Sequence, residues 1–246
     1  MLQRRSLFSD GRIATPHDNA VASSGTPAER LQQMVSMARE TIDTTAADLR
    51  FVLDKVTQLN KAAKGPSIFV GRLDFDRVAV VGHSAGGAAA ARACQLDQRF
   101  KACVSLDGEV NPEGAFFNYP NAKSPSQPFL LIEVDQPEPT NEELARMLET
   151  RAQWDEFLRS EEAQLRACPG GSYHVMLKGR GIIHASFSDY PLFASANRPT
   201  DNQIALYNLQ LTGTITRSFL DKYLKQQNQP LFDGGRLPPE MTVRKF

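Results

Sequence analysis

Gly82-His83-Ser84-Ala85-Gly86-Gly87 lies between an apolar run, Val78-Ala79-Val80-Val81, and an alanine-rich segment from Ala88 to Cys94. Strand, tight turn, helix is the reading of that order. This context turns a bare G-x-S-x-G string into a nucleophile elbow, in which the serine takes a strained backbone conformation. Gly82 and Gly86 lack a Cβ and are expected to let strand and helix approach each other. Ser84 Oγ is then presented where a strand ends and a helix begins. A helix N-terminus carries partial positive charge and free N–H groups, which suit a developing oxyanion. The N–H of Ala85 is the expected oxyanion-hole donor.

The chain around this turn repeats an α/β rhythm. Residues 1–25 read as a polar, irregular lead-in with a turn at Ser9-Asp10-Gly11. Thr26-Pro27-Ala28-Glu29 is a capping box with proline at the first helical position. It opens a helix expected to reach about Asn60, with Leu49, Val52, Leu53, Val56 and Leu59 on one stripe, and Lys64-Gly65-Pro66 ends it. Apolar runs predict strands at Val78–Val81, Ala102–Leu106, Phe129–Val134 and Tyr173–Leu177. Helices are expected from the elbow to about Leu96, from Thr140 to about Ala167, and within about Gln203 to Lys225. The tail from Pro230 to residue 246 shows little periodicity. Strands alternating with helices imply a mostly parallel sheet with right-handed crossovers, in one α/β domain over residues 1–246.

Composition narrows the function classes. The chain is 41% hydrophobic and 23% charged with a formal net charge of zero, which argues against nucleic-acid partners. No apolar run approaches the ~20 residues of a transmembrane helix. Met1 to Asp10 lacks the apolar region of a signal peptide, so a cytoplasmic location is the default, with a secreted one the alternative if an N-terminal part is missing. Cys94, Cys103 and Cys168 form neither a metal spacing nor an even disulfide set, and read as core residues. No metal or cofactor is expected.

A serine hydroxyl needs a base. In the α/β-hydrolase order the acid and then the histidine follow the serine. Downstream of Ser84 stand His174, inside the fourth strand, and His184, in the loop beyond its C-terminal end. His184 is the base by position, and His174 reads as a strand residue with a local hydrogen bond. His83 is expected to point away from the nucleophile, and His17 lies in the lead-in. Two carboxylates are candidates for the acid. Asp107 ends the second strand and Asp135 the third, and spacing alone leans to Asp135.

Several motifs resemble the plasma-type platelet-activating factor acetylhydrolase family. They are Asp48-Leu49-Arg50-Phe51-Val52-Leu53, Asp76-Arg77-Val78, the elbow itself, Asp97-Gln98-Arg99-Phe100-Lys101-Ala102, Leu106-Asp107-Gly108 and Gly181-Ile182-Ile183-His184-Ala185-Ser186-Phe187-Ser188-Asp189. The resemblance implies an α/β-hydrolase fold and a calcium-independent serine esterase that removes short or oxidised sn-2 acyl groups from glycerophospholipids. It places the acid directly after the strand that follows the elbow, and so favours Asp107. The broader alternative is a carboxylesterase or polyester hydrolase using Asp135, and a third is a catalytically weak remnant. Only 83 residues precede Ser84, and they read as a lead-in and one helix. The chain therefore resembles the C-terminal two-thirds of a hydrolase, with the nucleophile strand at an exposed sheet edge and the second oxyanion donor outside it. Phe116, Phe117, Trp154 and Phe157 are candidates to line the pocket.

Overall fold

The computed structural model of the chain describes residues 6–7, 13–14, 25–61, 68–108, 124–146, 149–179 and 181–246. Inside the lead-in, read as irregular, β1 (Ser6–Leu7) pairs antiparallel with β2 (Ile13–Ala14). The turn expected at Ser9–Gly11, the breaker Lys64–Pro66 and His17 lie outside the described residues.

Helix α1 runs Pro27–Lys61. Its start is fixed by the Thr26–Glu29 box, in which the Thr26 N–H donates to Glu29 Oε2 at 2.7 Å and the Glu29 N–H to Thr26 Oγ1 at 3.2 Å. The buried line of α1 is Ile42, Ala46 and Leu53, with Leu49 packed alongside. The expected stripe is therefore shifted, since Val52 and Leu59 face outward. Helix α2 (Ala85–Leu96) decides this shift. Its alanines at 88–91 and 93 are buried, and side chains this small let α1 settle closely on top.

The central sheet has the order β3 (Ala79–His83), β4 (Ala102–Leu106), β5 (Phe129–Val134), β6 (Ser172–Leu177) and β7 (Met241–Lys245). The first four strands are parallel, and β7 runs antiparallel to β6. The tail, read as lacking periodicity, thus supplies a strand that pairs Tyr173 with Lys245 and Leu177 with Met241. Side chains alternate between two apolar layers. Val104, Leu130, Ile132, Tyr173 and Val175 pack with Ile215 and Phe219 of α6 (Pro199–Lys225). Val80, Cys103, Phe129 and Leu131 pack beneath α1, α2 and α4 (Arg151–Arg166). Burial on both faces is what a parallel sheet requires. All three cysteines are free and buried.

The helical region expected from Thr140 to Ala167 is two helices, α3 (Asn141–Arg146) and α4. Each has its own threonine cap. Thr140 exchanges hydrogen bonds with Glu143, and Thr150 forms a capping box with Gln153. The segment read as the histidine loop holds a 3-10 turn (His184–Phe187) and α5 (Tyr190–Ala194). Register aligns the strand ends that matter: His83 lies opposite Leu106, and Leu106 opposite Ile132. Among the described residues β3 pairs only with β4 and forms an edge of the sheet.

Candidate active site

The elbow is tight for identifiable reasons. Ser84 has φ 56° and ψ −129°, in the region that non-glycine residues avoid. Its N–H donates to the Leu106 carbonyl at 2.9 Å, and its carbonyl accepts from Gly87 at 2.8 Å and Ala88 at 3.2 Å. The surrounding backbone therefore holds the strain. A Cβ at Gly82 would collide with the backbone of Gly86, and one at Gly108 with the Ser84 carbonyl. Gly87 abuts Ser105 Oγ, which donates to the Gly108 carbonyl at 2.7 Å. Gly86 corrects an expectation: a Cβ there would meet nothing within 4 Å, so its glycine is not what permits the approach. The Ser84 hydroxyl does not cap α2, and Ala85 opens that helix with its N–H at the positive end.

Asp107 follows β4 with φ 49°, a second left-handed non-glycine residue. Its N–H donates to the Ile132 carbonyl at 2.6 Å, and Oδ1 accepts from the Val134 N–H at 3.0 Å. The other oxygen, Oδ2, lies 2.6 Å from Nδ1 of His184. The carboxylate side chain is 13% exposed and the imidazole 52%. A carboxylate on Nδ1 selects the tautomer with its proton there and leaves Nε2 with a lone pair that can accept a proton. Asp135, favoured by spacing alone, is exposed and makes no hydrogen bond to His184 among the described residues. Its N–H donates to the Leu177 carbonyl at 2.8 Å.

His184 is the first residue of the 3-10 turn, which Ser186 braces by accepting from the Ile183 N–H at 3.0 Å. His83 also reaches this loop. Its Nε2 donates to the His184 carbonyl at 2.8 Å, its ring centroid stands 4.6 Å from that of His184, and Phe187 packs 5.8 Å away. Burial, then the positive charge His184 can carry, lowers the pKa of His83 and favours the neutral donor form. The sequence reading sent this side chain away from the nucleophile and missed its contact with the base loop. No local signal marks a contact between residues 101 apart. His174 has the local partner expected of it, Glu133 Oε2 at 2.6 Å from Nε2.

Two cavities flank the strand ends. One of about 510 Å³ is walled by Leu106, Phe187 and α6 residues including Leu220. The other, about 710 Å³, is lined by Asp107, Val134, Trp154 and Phe157, two of the expected pocket aromatics among them. Phe116 and Phe117 lie outside the described residues.

The sequence profile of the family described as "Platelet-activating factor acetylhydrolase, isoform II" matches residues 50–198, a span that holds Ser84, Asp107 and His184. A curated relative, the platelet-activating factor acetylhydrolase of Cavia porcellus, is 26% identical over 188 residues, covering 70% of this chain and 37% of that protein. Among solved structures, the ferulic acid esterase from Streptomyces cinnamoneus superposes with a TM-score of 0.57 at 24% identity. That match covers 97% of this chain and 62% of the other. It shows the fold, a mostly parallel sheet flanked by helices of the α/β-hydrolase type. Among the described residues no helix is long and apolar enough to cross a membrane. The chain belongs to the platelet-activating factor acetylhydrolase isoform II family.

Proposed function

We propose that this family member hydrolyses carboxylic esters of small or lipid molecules through an acyl-serine intermediate. The single observation that carries the reading is the 2.6 Å contact between His184 Nδ1 and Asp107 Oδ2, beside a serine on a strained elbow. Ser84 Oγ attacks the ester carbonyl as His184 Nε2 takes its proton. Asp107 holds the imidazole in the required tautomer and stabilises the imidazolium that forms. The N–H of Ala85 and the positive end of α2 stabilise the oxyanion. On collapse His184 returns the proton to the departing alcohol. Water then cleaves the acyl-serine by the same steps.

The narrower reading is an esterase of the plasma type, removing short or oxidised sn-2 acyl groups from phospholipids. The family match and the motif set around Asp97 and His184 support it. The broader reading, a general carboxylesterase, is supported by the fold shared with a ferulic acid esterase.

The test is labelling with a fluorophosphonate, located by mass spectrometry, together with turnover of p-nitrophenyl acetate. A Ser84 adduct and turnover lost in Ser84→Ala are the expected outcome. Folded protein that takes no adduct overturns the reading and leaves a non-catalytic, ester-binding role. A sn-2 acetyl phospholipid hydrolysed with higher kcat/KM than simple aryl and feruloyl esters selects the narrower substrate class, and the reverse order selects the broader one.

A further inference from the structure

We propose that Glu133, Glu161 and His174 form a site for a divalent transition-metal ion, with Zn²⁺ the best-fitting class. The proposal is independent of the ester reading. One ligand atom from each of the three residues lies within 4.8 Å of the other two. The fold creates the juxtaposition. Val134, Tyr173 and Val175 point to the α6 side of the sheet, so by alternation Glu133 and His174 point to the α4 side. In the register of β5 and β6, His174 lies opposite Leu131 and Glu133 opposite Met176, which makes the two residues diagonal neighbours. Glu161, buried on α4, completes the group from the helix that covers this face.

The donor set decides the ion. One imidazole and two carboxylates suit a borderline acid such as Zn²⁺, with bonds of about 2.0–2.2 Å. An imidazole disfavours Ca²⁺ and Mg²⁺, which take oxygen ligands. Tetrahedral bonds of that length set ligand atoms about 3.4 Å apart. The 2.6 Å contact between His174 Nε2 and Glu133 Oε2 therefore opens slightly, and Glu161 closes in. His174 Nε2 must offer a lone pair, so its proton resides on Nδ1 in the loaded state.

The approach to the site is electronegative. The cavity of about 710 Å³ beside it is lined by Asp107, Glu133, Glu138, Glu143 and Glu161, against Arg146 alone as a basic lining residue. Arg151 pairs with Glu138 at 3.6 Å from outside that wall. The excess of carboxylates raises the local concentration of cations at the site. A metal there would pin α4 to the sheet one residue from Val134, whose N–H holds Asp107.

The test uses the full 246-residue chain, treated with chelator and titrated with ZnCl₂ by calorimetry, with Co²⁺ as an optical probe. One equivalent of Zn²⁺ should bind and raise Tm, and Co²⁺ should show the visible absorption of a tetrahedral nitrogen and oxygen site. Glu161→Gln and His174→Gln should each weaken binding by at least about 100-fold. If His174→Gln does not fold, Glu161→Gln and Glu133→Gln read the same loss. No saturable binding, unchanged affinity in the variants, or Mg²⁺ binding more tightly than Zn²⁺ overturns the site. The ordinary Glu133–His174 pair would then be its whole role.

Discussion

His83 Nε2 donates to the main-chain carbonyl of His184 at 2.8 Å, so the residue before Ser84, the proposed nucleophile, grips the loop that carries the proposed base. In the proposed reaction His83 is a positioning residue that acts through His184. His83→Phe keeps a ring against Phe187 and removes the donor. One lost hydrogen bond of ~0.5–1.5 kcal/mol implies a fall in kcat of about 2- to 10-fold. KM for p-nitrophenyl acetate should hold, and His83→Asn, which keeps a donor, should recover part of the loss.

Asp107 and Asp135 separate cleanly by substitution. Asp107→Asn removes the carboxylate from His184 Nδ1 and should lower kcat by about 10⁴-fold with the fold intact. Asp135→Asn changes an exposed side chain and should leave kcat within about 2-fold, since exposed substitutions typically stay within about 0.5 kcal/mol. Steady-state ester hydrolysis of the two purified variants is the comparison. Equal losses would remove Asp107 from its proposed role.

The two elbow glycines should respond in opposite ways. Gly82→Ala drives a methyl group into the Gly86 backbone and should abolish folding or labelling. Gly86→Ala meets open space within the first turn of α2. It should be neutral or stabilising by up to about 1 kcal/mol, from helix propensity alone. Circular dichroism melts read both.

Asp97 ties the loop after α2 to α1. Its carboxylate accepts from Arg99 Nη2 at 2.6 Å and faces Arg50 Nε of α1 at 3.7 Å, while Arg99 Nη1 reaches Asp54 of α1 at 2.6 Å. The Arg99 bonds hold the Asp97 carboxyl below its usual range. Asp97→Asn should destabilise the chain by about 1–3 kcal/mol, as the loss of a charged hydrogen-bond partner does. Urea melts should show it as a lower midpoint at unchanged slope.

Glu149 gives a pH signature. Burial raises its carboxyl from the usual 4.5 to about 7, and Oε2 has no hydrogen-bond partner among the described residues. Between those values the folded state binds more proton than the unfolded state. Stability therefore falls as pH rises through that window, and the deficit persists above it. Glu149→Gln removes the effect. Its Tm, measured relative to wild type, should climb between pH 4.5 and 7 and level off beyond.

Legibility in the sequence followed locality. β4 and β5 fall where the apolar runs place them, because each is buried at all but one position. β7 escaped because Met-Thr-Val-Arg-Lys is short, mostly exposed and stabilised by pairing with β6 rather than by its own pattern. In α1 several apolar residues compete for the inward face, and only the presence of α2 selects Ile42, Ala46 and Leu53 over Val52 and Leu59. The break between α3 and α4 was readable in Thr150-x-x-Gln153, a capping signal that the flanking apolar residues obscured. Ser84 and His184 stood out through turn chemistry and chain order. The choice of Asp107 needed the motif resemblance, and the geometry now places its carboxylate on the imidazole. The Glu133, Glu161 and His174 group carries no ligand spacing at all, because three separate elements create it.

The hydrogen bond between Asp107 and His184 closes a loop of 77 residues, and every parallel pairing beneath it is likewise non-local. Such contacts form late in folding, since chain entropy must be lost before they return any stabilisation. Helical signal should therefore return first in a refolding experiment, with Ser84 labelling trailing it. Reactivity toward a covalent probe then serves as a clock for completion of the native topology.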